Sequence, residues 1–118
     1  MFKLIILIGS TANTTTFSDE WPLFLRNAES MPGLLREATI RVQSSLYGQS
    51  DIEMIHELFF ESQEILHNAL ASPYGQAAGE ILQHITGGHM NLLIAEHKED
   101  SSENLRSYRR IIADVDAE

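Results

Sequence analysis

The chain has no cysteine in its 118 residues. Disulfides, cysteine-ligated zinc and thiol catalysis are therefore excluded, and a reducing, cytoplasmic setting is the natural expectation. Basic residues are scarce: 8 Lys and Arg stand against 17 Asp and Glu, for a formal net charge of -9. A surface of that sign repels phosphate backbones and anionic lipid, which argues against both nucleic acid and membrane as partners. Long hydrophobic runs are missing too. The uninterrupted stretch Leu4 to Ile8 is shorter than the roughly 7 to 15 residues of a signal-peptide core, and no later stretch approaches the ~20 apolar residues of a membrane span. At this length, a single domain that buries roughly two-thirds of its unfolded surface is expected.

What is present is a sequence of clear periodicities. Leu4 to Ile8 is apolar on both sides of its alternation, the pattern of a central strand covered on both faces. Phe17, Trp21, Phe24, Leu25 and Ala28 then form one stripe of a helix. Pro22 fits its first turn if Asp19 is the N-cap, and predicts a kink if the helix starts earlier. Strands are expected over Leu35 to Gln43 and Glu53 to Glu61. Ser62 is the expected cap of a helix to Ala71, and Ser72-Pro73 restarts a helix that runs to Ile85 and stops at Gly87-Gly88. A last strand is expected over His89 to Lys98, followed by a short helix with Leu105, Tyr108, Ile111 and Ile112 on one side. This order predicts an α+β, ferredoxin-like four-stranded antiparallel sheet in the order 4-1-3-2, with helices on one face. The domain is expected to span 1–98, with 99–118 as an acidic helical extension.

The fragments "KLIILI", Phe17 with Trp21 one turn later, "PGL" at Pro32 to Leu34, "HELFF" with Ile65 and Leu66, and "ALASPYG" at Ala69 to Gly75 occur in an order that resembles the EthD family. The resemblance covers about residues 1 to 98. It implies the dimeric α+β barrel fold, pockets near sheet and helices, and an association with degradation of small organic molecules. Two positions depart from it: Leu25 stands where family members often carry a histidine, and "RVQSSLY" lacks a second one. The dimer also has a physical warrant. Helices on one side of the sheet cannot cover Ile5, Leu7, Ile55 and Phe59 if these point the other way, so the open face is expected to pair with a second copy.

The chemical candidates centre on "EMIHELFFES", Glu53 to Ser62. His56 and Glu57 point to opposite faces of a strand. Glu57 and Glu61 share a face but stand about 13 Å apart, too far for an acid/base pair. His56, in the row of Met54, Leu58 and Phe60, is expected on the helix-facing side, either as a hydrogen-bonded core histidine or as a general base kept neutral by desolvation. Trp21, Phe24, Phe60 and Tyr74 are the candidate lining for a small hydrophobic ligand, with ordinary core packing as the alternative. "AAG" at Ala77 to Gly79 either allows close helix approach or leaves room. No metal or cofactor is expected. His89 and His97 would lie two strand spacings, at least ~9.6 Å, from His56, and "HEL" lacks the second histidine of a zinc motif. His67 and His84 are expected at the solvent face. The sequence thus supports two readings: a cofactor-independent or accessory protein of small-molecule catabolism, or a non-catalytic homodimeric ligand-binding or interaction module.

Overall fold

The structure is a computed structural model and describes residues 1–10 and 14–100. Seven elements follow one another: β1 (Phe2–Gly9), α1 (Thr14–Glu29), β2 (Arg36–Arg41), β3 (Ile52–Phe60), α2 (Gln63–Ala71), α3 (Pro73–Thr86) and β4 (Met90–Glu96). The strands form one antiparallel sheet ordered β2-β3-β1-β4, which is the expected 4-1-3-2 taken from the other edge. The helical extension expected around Leu105 to Ile112 lies outside the described residues.

β1 is central because it is apolar on both faces, and its alternation sorts them. Leu4, Ile6 and Ile8 are buried under the helices with Met54, Leu58 and Phe60 of β3, while Ile5 and Leu7 face the other way and stay half-buried. Each fully buried aliphatic or aromatic side chain of this kind contributes about 1.5–3 kcal/mol. Phe24 and Ala28 of α1, Leu66 and Ala69 of α2, and Ala78, Leu82 and Ile85 of α3 close the core from above. α1 begins before Asp19, so Pro22 lies in its interior. Having no N–H, Pro22 leaves the Ser18 carbonyl without its usual helical partner.

The serine caps act as their sequence positions imply. The Ser62 hydroxyl accepts from the Ile65 N–H and the Ser72 hydroxyl from the Gly75 N–H, with Pro73 opening α3 and Gly87 ending it in a left-handed conformation. Two glycines are required by close approach. At Gly33 (φ +82) a Cβ would run into the Ile65 side chain, and at Gly75 it would collide with the Ala69 and Leu70 carbonyls. Gly79 differs: a Cβ there meets nothing within 4 Å, and the residue borders an apolar void of about 40 Å3. "AAG" therefore leaves space, though too little for an organic ligand. We expect Gly79→Ala to stabilise the fold by about 0.5–1 kcal/mol, through lower unfolded-state entropy and better helix propensity, measurable as a higher urea midpoint at unchanged slope.

The open sheet face departs from expectation at one residue. Phe59 is already enclosed within the chain, only 2% exposed, with the Arg36 guanidinium 4.1 Å and the Lys3 ammonium 5.4 Å from its ring centre and His97 edge-on at 5.0 Å. Long cationic side chains lie across an aromatic ring readily, since their stems are apolar and their heads reach water or a carboxylate. Ile5, Leu7 and Ile55 remain half-buried, and Ile40 and Leu93 on the same face are exposed. Among the described residues no helix is long and apolar enough to cross a membrane.

Candidate functional site

His56 faces the helices, as its row predicts, and is completely enclosed, at 0% exposure. Two aromatic rings of α1 stand against it at near-right angles: Trp21 at 5.3 Å and Phe24 at 5.9 Å between ring centres. The partners that orient it come from β2. Register pairs Thr39 with His56 and puts Glu37 diagonally beside it, so the Thr39 hydroxyl lies 2.9 Å from Nδ1 and a Glu37 carboxyl oxygen 3.2 Å from Nε2. Glu57, one residue on, faces the other way and pairs with Lys3.

The charges of this cluster follow from burial. Burial lowers the His56 pKa to about 4, with the charges of Glu29 and Glu57 acting in the other direction. Burial, a hydrogen bond with Glu29 and the charge of Glu29 together push Glu37 up to about 7. The 3.2 Å contact between His56 and Glu37 is therefore a hydrogen bond between largely neutral groups and not an ion pair. One arrangement satisfies every atom: protonated Glu37 donates to Glu29 and accepts from His56 Nε2–H, and Thr39 donates its hydroxyl proton to Nδ1. Hydroxyl, imidazole and carboxyl stand in the order of a nucleophile triad. With its pKa held so low, however, the imidazole is a poor base for activating an alcohol.

The other candidates separate. Trp21 is half-buried, whereas Phe24 and Phe60 are closed core residues at 2% and 0% exposure. Tyr74, in the first turn of α3, is 51% exposed and lines none of the hollows described here. Of the hollows described here, none is lined by His56 or Phe60, and Phe24 borders only the apolar void of about 40 Å3. The space lies at the rim instead, where the first turns of α1 meet the β2–β3 end of the sheet. There a hollow of about 290 Å3 is lined by Phe17, Ser18, Trp21, Pro22, Arg41 and Met54. A second, of about 180 Å3, shares four of these residues and continues to Ile8, Gly9, Thr14 and Glu53. Phe17 and Trp21 stack at 5.2 Å and 17°, and Trp21 stacks in turn on Phe24 at 4.8 Å. Trp21 thus has one ring edge toward His56 while bordering the groove.

Among the described residues no group of three or more His, Asp or Glu side chains could hold a metal ion. His97 packs on Phe59, His89 contacts the Ser10 carbonyl, and His67 and His84 are exposed. Sequence reasoning did not single out Glu29, Glu37, Thr39 or Arg41. Glu37, Thr39 and Arg41 do form the polar row of β2's alternation, a signal that becomes legible once the strand is set beside β3.

No family model matches the chain, and none of the curated proteins matches it in sequence. Solved structures do. The fold is similar to that of an ethyl tert-butyl ether D (EthD) family protein from Bacillus halodurans C-125, with a TM-score of 0.76 at 24% identity, over 83% of this chain and 99% of that one. It is also similar to SnoaB, a cofactor-independent oxygenase from Streptomyces nogalater (TM-score 0.65, 11% identity, 86% and 96% of the two chains). A third similar structure is a dimeric ferredoxin-like protein of unknown function from Thermobifida fusca YX (TM-score 0.61, 12% identity, 81% and 90%). The likeness to an EthD protein indicated by the sequence fragments thus holds in three dimensions, and the ferredoxin-like architecture is the expected one.

Proposed function

We propose that the chain is an EthD-like homodimer, cofactor-independent or accessory, that binds a small hydrophobic organic compound in the course of its catabolism. The binding place is the groove between α1 and the β2–β3 end of the sheet. One observation carries this reading: the stacked Phe17 and Trp21 rings border an open hollow of about 290 Å3, just under the roughly 300–1,000 Å3 range of small-molecule sites. Similarity to an EthD family protein and to a cofactor-independent oxygenase supports a small-molecule role. In this reading His56 is the candidate proton acceptor, and its lowered pKa restricts it to a ligand proton far more acidic than that of an alcohol. Its neutral ring has a lone pair at Nδ1, reached from outside through the exposed Thr39 hydroxyl or by displacement of Trp21.

The second reading, a non-catalytic binding or interaction module, is favoured by the closed packing around His56 and by the engagement of both its ring nitrogens. A native mass spectrum of the freshly purified protein tests the binding claim. We expect a retained small molecule, or one acquired from a panel of one- and two-ring compounds, that is lost in Trp21→Ala. If nothing is held by the wild-type chain, the ligand reading fails. His56→Gln separates the two readings for whatever ligand is found. Lost turnover with intact binding supports the proton-acceptor role, unchanged turnover removes His56 from the chemistry, and binding without any turnover in the wild type supports the module, because glutamine keeps a hydrogen bond but takes up no proton near neutrality.

A further inference from the structure

We infer that the groove selects an aromatic carboxylate, a compound of one or two rings that lies against Trp21 and Phe17 and places its carboxylate on the Arg41 guanidinium. This rests on the groove being the ligand site, and goes beyond that reading by naming the ligand's charge. Arg41 is the only charged residue among the described lining of the larger hollow. The chain carries a net charge of -9, and its other sheet-face cations are committed: Lys3 to Glu57, Arg36 to Glu99 and Lys98 to Glu96. Arg41 has no ion-pair partner among the described residues, although Glu53 borders the adjoining hollow. The Glu53 carboxylate instead accepts from the Ser10 hydroxyl at 3.0 Å.

A guanidinium without an ion-pair partner among the described residues, bordering the same hollow as the Phe17 and Trp21 rings, presents a planar fork of donors matched to a carboxylate. The rings supply flat apolar area of the right shape for a planar ligand, and the groove's volume limits that ligand to one or two rings. A neutral hydrocarbon would fill the ring subsite and leave Arg41 unused.

The sequence offers a direct reporter, because Trp21 is its single tryptophan. The full chain, isotope-labelled, is titrated with naphthoate and, separately, with the uncharged isostere naphthalenemethanol, following the lone indole N–H resonance. Naphthoate should bind about tenfold more tightly than the alcohol, as a charge-assisted bidentate contact implies. Arg41→Gln, at an exposed position, should erase that difference while retaining the alcohol's affinity. Equal affinities in the wild type, or a naphthoate preference that survives Arg41→Gln, would overturn the inference and leave the groove as a site for neutral ligands. A resonance that neither compound moves would overturn the groove reading itself and the inference with it.

Discussion

Leu7→Glu is expected to abolish the proposed dimer. The wild-type chain should sediment as a dimer of its 13.3 kDa protomer throughout the micromolar range, whereas the variant should run as monomer or aggregate. The three helices among the described residues lie on one side of the sheet, so Ile5, Leu7 and Ile55 at the centre of the other face, with Ile40 and Leu93 beside them, have no cover among the described residues. A second sheet packed on this face would bury well over the ~1,200 Å2 that a stable association needs, and most of that area would be apolar. A carboxylate at Leu7 would then lie near the middle of that interface without a partner, at a cost of several kcal/mol. Leu23→Glu is the control, since Leu23 is 42% exposed on α1, away from the sheet face, and should leave the dimer unchanged. Either a wild-type monomer at these concentrations or a Leu7→Glu variant that still dimerises would move the interface elsewhere.

The second large effect concerns His56 and Glu37, and its signature is a pair of opposite pH slopes. His56→Leu should cost about 1–3 kcal/mol, because Glu37, with its side chain 27% exposed, loses its hydrogen-bond partner. Replacing both residues with leucine should recover most of the loss, since the groups left over, the Thr39 hydroxyl and the Glu29 carboxylate, are exposed and can turn to water. The pH dependence is more telling. Glu37 is raised to about 7 when folded, so the folded chain holds a proton there that the unfolded chain releases from about pH 4.5 upward. Its stabilising contribution is full below that value and is lost as pH rises toward 7. His56 is lowered to about 4, so the unfolded chain takes up a proton near pH 6.5 that folded His56 refuses, and stability is lost as pH falls from 6.5 toward 4.

In the wild type the two slopes oppose each other between about pH 4.5 and 6.5. Folded neutral His56 with protonated Glu37 carries as many protons as unfolded imidazolium with carboxylate. Removing either partner should expose the other. Glu37→Gln should lose stability on acidification, by at most about 1.4 kcal/mol per pH unit, and His56→Gln should lose it on alkalinisation over the adjacent window. Urea midpoints across this range provide the measurement. Two variants with slopes of the same sign, or no slope in either, would show that the protons are not arranged as described.

How much of this was legible in advance depended on whether the controlling interaction is local. The two-sided apolarity of Leu4 to Ile8 made β1 central, and Ser62 and Ser72-Pro73 fixed two helix starts, because a capping hydroxyl acts within three residues of itself. Alternation placed His56 on the helix-facing row with Met54, Leu58 and Phe60, and the element order implied the sheet order. Those features required only the chain's own periodicity.

The tertiary structure decided the rest. The pairing of Thr39 with His56 depends on the register of β2 against β3 across the intervening connection 42–51, where no short turn dictates the offset. The approach of Glu29 to Glu37 requires the end of α1 to pack near the start of β2, and that packing adds to burial in raising the Glu37 pKa. Phe24 closed as core with Phe60 of β3 while Trp21, on the same helical stripe as Phe24, stayed at the rim, because the position of α1 over the sheet determines which ring is covered. Periodicity identifies a helix's apolar side. How far along that side the sheet extends is a property of the folded chain alone, and here it places the groove beside Arg41 and not over His56.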